Sequence, residues 1–84
     1  MYLSRPAEYA LRAMTYMARM EPGKRILTRD LAAAINVPGP FLSKVMRSLV
    51  AHGILDAKKG HHGGFLITRS PADIRFIDIL RAVD

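Results

Sequence analysis

The sequence predicts a mainly α fold with one small β-hairpin (an α+β chain), and three observations carry that reading. Apolar residues recur at helical spacing in four separate stretches. A break rich in Pro and Gly, Asn36-Val37-Pro38-Gly39-Pro40, divides the second stretch from the third. Two short extended segments then flank Lys58-Lys59-Gly60-His61-His62-Gly63-Gly64, a polar tip without an acid.

The first helix starts at Ser4. A cap side chain, Pro6 in the donor-free first turn and Glu8 near the positive dipole end all favour it. Ala7, Ala10, Leu11, Met14, Met17 and Ala18 form its apolar series, and Glu21-Pro22-Gly23 ends it. Lys24 to Leu27 is a short connector with extended character. Thr28 reads as the next cap, with Asp30 in the first turn and Leu31, Ala32 and Ile35 inward, for a helix of about nine residues. Pro40 can open the third helix, in which Leu42, Val45, Met46 and Leu49 make the inward stripe. Ser43, Lys44 and Arg47 share another face, and Gly53 suits a left-handed C-terminal cap. Ile54–Lys58 and Phe65–Thr68 are the hairpin strands. Ser70-Pro71-Ala72-Asp73 reads as a capping box, followed by a last helix carrying Ile74, Ile77, Leu80 and Val83. That helix is apolar on more than one side. The order helix, helix, turn, helix, hairpin, helix is that of a winged helix-turn-helix, so residues 1–84 read as one such domain.

Composition narrows the function. A chain of 84 residues buries only about 60–65% of its unfolded surface, so stability is modest. Its net charge of +6 favours a polyanion, with nucleic acid first and an anionic membrane surface second. The charge is local. Residues 37–69 hold five basic groups (Lys44, Arg47, Lys58, Lys59, Arg69), one acid (Asp56) and all three His. There is no Cys, which excludes disulfides and thiolate metal sites within the chain. No apolar run reaches the roughly 18–20 residues that span a bilayer, and the N-terminus lacks a signal-peptide core. A cytoplasmic location and no membrane partner are the expectation.

Helix-turn-helix spacing offers the start of the second helix of the pair to a major groove. There Ser43, Lys44 and Arg47 face outward, with Gly39 and Pro40 at the tip. Lys and Arg donate to guanine O6 and N7, and Ser bonds bases or phosphate. The competing reading is a solvated basic face on an ordinary helical hairpin. In the wing, glycines allow a close backbone approach to phosphate, while Lys58 or Lys59 suits a minor groove. The alternative there is a solvated turn. His61 and His62 are adjacent and have no acid or Cys in the loop, so phosphate contact or exposure is favoured over a metal. Tyr9, seven residues before Tyr16, is half-buried packing or a phosphate contact. Met14, Met17, Met20 and Met46 read as core. No nucleophile or acid–base pair stands out, so neither enzymatic activity nor a small-molecule substrate is expected.

These residues resemble the IscR/NsrR-type regulators of bacteria, the Rrf-two family. The likeness is carried by Tyr9-Ala10-Leu11-Arg12-Ala13-Met14, by Leu31-Ala32 with Ile35, and by Phe41-Leu42-Ser43-Lys44-Val45. It continues through Leu49 with Gly53-Ile54-Leu55, Lys59-Gly60 to Gly63-Gly64-Phe65-Leu66, and Asp78-Ile79-Leu80-Arg81-Ala82-Val83. The resemblance implies a DNA-binding winged-helix head in a transcription regulator, expected to act as a repressor. It implies double-stranded DNA as partner, with base contacts from the start of the third helix and groove or backbone contact from the wing. It also implies phosphate contacts near the starts of the first two helices, at Ser4 and Arg5 and at Thr28 and Arg29. Such regulators continue into a cysteine cluster holding an iron–sulfur centre in many members, then a long dimer-forming helix. Both are expected to be absent here, so no cofactor is assigned to this chain and a homodimer belongs to the full-length form. Lys59 stands where arginine is common, and Arg75 where a Ser or Thr cap is usual. The start of the last helix is thus open between Ser70 and Arg75. The alternative function is a protein–protein module docking through the apolar last helix.

Overall fold

The computed structural model describes residues 2–84. Helix α1 (Arg5–Ala18) starts at the predicted cap, where the Ser4 hydroxyl accepts the Ala7 N–H at 3.2 Å. Its inner face is Ala7, Ala10, Ala13, Met14 and Met17, all buried. Three alanines in succession along that face let α1 lie close to every other helix and to the hairpin.

Helix α2 (Thr28–Ile35) departs from the prediction at its start. Leu27, not Thr28, is the cap, with extended φ −74° and ψ 148°, and no side chain caps the helix. The reason lies upstream. Ile26 pairs with Phe65 through two backbone bonds, N–H to O at 3.0 and 2.8 Å, so the connector is held extended up to the helix start. The α2 end is the expected turn. Asn36 takes the left-handed conformation, φ 57°, which asparagine tolerates better than most residues, and Val37 is buried behind it. The Arg12 guanidinium donates to the Ile35 carbonyl, an α2 C-terminal group that the helix itself leaves unpaired.

Helix α3 (Gly39–Ala51) buries the four residues its periodicity singles out, Leu42, Val45, Met46 and Leu49. Each such side chain contributes about 1.5–3 kcal/mol relative to exposure. Gly53, φ +74°, reverses the chain after His52 as predicted, and the Ile54 N–H then bonds the Leu49 carbonyl at 3.0 Å. Ile54 enters the core with Leu31, Leu42, Met46 and Leu49, the most completely buried large side chains. Among the described residues no buried side-chain nitrogen or oxygen lacks a partner.

Strands β1 (Leu55–Lys58) and β2 (Gly64–Ile67) form an antiparallel hairpin with Leu55 opposite Ile67 and Lys58 opposite Gly64. Both begin one residue from the predicted bounds. Thr68 falls outside β2 because its hydroxyl lies against the Gly53 and Ile54 carbonyls, at 2.8 and 3.2 Å, closing the hairpin base.

The predicted capping box at Ser70 is not formed. Pro71–Asp73 makes one 3-10 turn without a side-chain cap bond, and Ile74 then runs extended with its side chain against the core. Helix α4 (Phe76–Val83) starts after Arg75, where the Asp78 carboxylate accepts the Arg75 backbone N–H at 3.0 Å. This is the reaching-back half of a capping box; an Arg side chain has no acceptor for the other half. Of its apolar residues Ile79 and Ala82 are buried, Leu80 and Val83 are half-buried, and Phe76 and Ile77 are exposed.

Two predictions follow from this packing. The Arg75 backbone N–H, and then its guanidinium, hold the Asp78 carboxyl below the usual aspartate range, against a smaller opposing effect of partial burial. A lowered folded-state pKa means the contribution is complete above the ordinary aspartate pKa and is lost as pH falls through the folded value. Thermal midpoints measured from about pH 6 to about pH 2.5 should show Asp78→Asn less stable than the parent at the upper end. The two should converge at the lower end; a constant difference would contradict the cap. The second concerns Gly64, whose φ is +111° and whose added Cβ would overlap the Ile26 carbonyl. Gly64→Ala should cost about 2–4 kcal/mol in denaturant unfolding. Gly60→Ala, at φ +103° but in open space, should cost about 1 kcal/mol. Equal costs would show that strain alone, without the backbone overlap, sets the requirement.

Candidate nucleic-acid interface

The α3 stripe decides what the helix has left to offer. With Leu42, Val45, Met46 and Leu49 inward, Pro40, Lys44 and Arg47 are exposed on the opposite side and Gly39 and Ser43 are half-buried beside them. Among the described residues neither Lys44 nor Arg47 has an acidic partner within salt-bridge distance. Their charges therefore serve no ion pair of the fold. One neighbour escaped the sequence reading as a surface group: Phe41 is 40% exposed and meets the half-buried Tyr9 edge-on, ring centres 5.3 Å apart. The Arg12 guanidinium lies 6.0 Å from the centre of the Tyr9 ring. Tyr9 thus packs α1 against the first turn of α3, while Tyr16 on the same helix is exposed. Its spacing from Tyr16 and its aromatic character pointed to half-buried packing, and they do not name Phe41 as the partner.

The wing tip runs from Lys59 to Gly63, and the Gly63 N–H closes it on the Gly60 carbonyl at 3.0 Å. Lys58, Lys59, His61 and His62 are all exposed, and neither lysine has an acidic partner among the described residues. The two imidazoles stack edge to face, 4.5 Å apart. The glycines divide differently from the sequence reading. Gly60 is open and exposed, but Gly63 and Gly64 are buried, and a Cβ on either would overlap backbone, the Lys58 carbonyl for one and the Ile26 carbonyl for the other. Those two positions serve chain packing within the protein, not close approach to a phosphate.

The connector supplies a residue that sequence reasoning missed. Arg25 donates to the Gly64 carbonyl at 3.1 Å and to the Asp56 carboxylate at 2.6 Å, touching both strands. Its partners lie 39 and 31 residues away, so no local pattern announces them.

At the two helix starts the predicted contacts are separate groups. Arg5 is exposed, and the Ser4 hydroxyl donates to Asp84 at 2.6 Å while capping α1. Thr28 is half-buried as the first residue of α2, and Arg29 is exposed with Asp30 3.7 Å away. An exposed pair of that length is worth little, so Arg29 stays available to another anion.

Solved structures share this fold. CymR, the global cysteine regulator of B. subtilis, superposes with a TM-score of 0.92 at 21% identity, covering all of this chain and 65% of its own. The IscR of T. potens gives 0.90 at 24% identity, over all of this chain and 61% of its own. In sequence, a Mycobacterium tuberculosis protein named as an HTH-type transcriptional regulator is 36% identical over all 84 residues, which match 52% of it. The HTH-type transcriptional regulator NsrR of Geobacillus kaustophilus is 27% identical over the same span, 57% of its length. The chain thus spans about half the length of the curated relatives it matches. A family model described as "Rrf2: Iron-dependent Transcriptional regulator" matches residues 3–84. The residues present do not fit an iron centre: the chain has no Cys, and the described residues include no group of three His, Asp or Glu placed to hold a metal. What does match is the helical scaffold and the wing, from Leu3 to Asp84, and on that match the chain belongs to the Rrf2 family of transcriptional regulators.

Proposed function

We propose that this chain binds double-stranded DNA sequence-specifically as a bacterial transcription repressor, with α3 in the major groove and the wing on the minor groove or backbone. One observation carries the reading. Lys44, Arg47, Lys58 and Lys59 are exposed on the second helix of the pair and on the wing, with no internal counter-charge among the described residues. Arg25 meanwhile pairs with Asp56, the acid of that segment. A surface so divided favours phosphate and guanine edges. Pro40 and Gly39 bring the helix tip near the groove floor. His61 and His62 add donors at the wing tip, and Arg5, Tyr9, Thr28 and Arg29 are the phosphate candidates at the helix starts; the Ser4 hydroxyl, expected among them, already gives its proton to Asp84.

The full-length form acts as a homodimer across two half-sites, in the cytoplasm, without a membrane or small-molecule partner and without catalysis. This chain's own residues hold no cofactor. Its relatives are named as transcription regulators, which supports the regulatory reading and gives none to an enzyme. A second reading rests on α4: Phe76 and Ile77 are 46% and 41% exposed, which suits a protein-docking face. Heparin retention and a shift with duplex DNA favour the first reading; a stable protein complex with neither favours the second.

Two measurements test the proposal. Affinity of this chain for duplex DNA should be weak and should fall about 100-fold between 50 and 200 mM salt, for about four phosphates neutralised. Tight binding that salt leaves unchanged would sink the idea. Arg47→Ala should relax the preference at one base pair by about tenfold or more. Lys59→Ala should instead weaken specific and random duplexes alike and lower the salt slope by about 1. Equal effects of both substitutions on both kinds of DNA would contradict that division.

A further inference from the structure

We infer that Arg25 is a positioning residue for the wing: it sets the hairpin's attitude and neutralises the wing's carboxylate toward DNA. The inference rests on the DNA-binding reading and extends it to a residue outside the predicted surface.

The geometry is specific. Arg25 lies in the connector between α1 and α2, next to the residue that pairs with Phe65. One guanidinium nitrogen donates to the Gly64 carbonyl of β2 and another to Asp56 of β1. The planar fork fixes both directions together, which a point charge such as lysine does not. The Arg25 side chain is only 22% exposed, whereas its partner Asp56 is 53% exposed. An ion pair open to water on that side adds little stability. The hairpin root is also already held by the Ile26–Phe65 pairing and by Thr68.

The remaining consequence is electrostatic and directional. Asp56 and Lys58 are two apart on β1, so their side chains leave the same face of the strand. An unpaired carboxylate there would attract the Lys58 ammonium inward and repel an approaching phosphate. Paired with Arg25 it does neither, and Lys58 and Lys59 are left to the anion. The bond to the Gly64 carbonyl ties the far end of the same guanidinium to the residue where β2 leaves the tip.

The test uses this chain and a random-sequence duplex of about 20 base pairs at low salt, a probe that reads phosphate contacts without needing the operator. Arg25→Ala, checked for an intact circular-dichroism spectrum, should lose about fivefold or more in affinity. Asp56→Asn should bind as tightly as the parent or a few-fold tighter. Combining the two should recover part of the loss, the part owed to the bare carboxylate. The decisive reading is coupling to the lysines. Replacing Lys58 and Lys59 together by Ala should cost about tenfold in the parent and clearly less in the Arg25→Ala background. A role confined to stability would leave that cost unchanged, as would a direct Arg25–phosphate contact, and either result overturns the inference. So does parent affinity in Arg25→Ala. Should Arg25→Ala not fold, Arg25→Lys carries the same test, since it keeps the charge and loses the fork; an undiminished lysine cost in it overturns the inference. Absence of duplex binding by the parent chain marks failure of the DNA reading itself and appears before any variant is made.

Discussion

Ile26 exchanges two backbone hydrogen bonds with Phe65, and the wing's position depends on that exchange. A two-stranded hairpin is marginal by itself in water, because half of its backbone groups face solvent and it encloses no core. Here the connector between α1 and α2 acts as a one-residue third strand along β2. Its approach is so close that Gly64 has no room for a side chain. The wing is thereby fastened to the same segment that launches α2, the first helix of the helix-turn-helix. Wing and helix pair are then one mechanical unit, not a rigid head with a loose flap.

The helical side reaches the same end by division of labour around α3. Its inner stripe meets α1, α2, α4 and the hairpin root in a core that, among the described residues, contains no buried charged residue. With no charge needed inside, the outer face of α3 is free to be basic at no cost to the fold. Two contacts then fix the helix pair against α1. Arg12 takes the Ile35 carbonyl at the end of α2, and Tyr9 takes Phe41 at the start of α3. Both ends of the intervening turn are thus gripped from one helix, which keeps the tip of α3 at a constant attitude to the wing.

Helix α4 packs against both α1 and α3. It is short, enters through the Asp78–Arg75 cap, and buries Ile79 and Ala82 while leaving Phe76 and Ile77 outside. The Ser4 hydroxyl, which caps α1, also donates to Asp84 just past the end of α4. The first and last elements of the chain therefore share one hydroxyl, at a helix start where a phosphate contact is proposed.

Much of this was legible in the residues. The stripe of α3, the Ser4 cap, the Gly53 reversal, the Asn36–Pro40 break and the basic tip each rest on neighbours within one or two turns. Periodicity and backbone chemistry act at that range, so the sequence alone determined the winged helix-turn-helix, the family likeness and the basic surface. Tertiary structure decided the rest. It moved the α2 cap from Thr28 to Leu27, began α4 at Phe76 and decided which of its apolar sides is buried. It also reassigned Gly63 and Gly64 from phosphate approach to packing, and brought Arg25 to Asp56 and Gly64. Leu27, Gly64 and Arg25 answer to groups 31 or more residues away, Gly63 to the Lys58 carbonyl that the closed tip folds against it, and α4 to the side of a short helix on which the core lies. Local propensity carries no information about such distances; only the packed backbone supplies them.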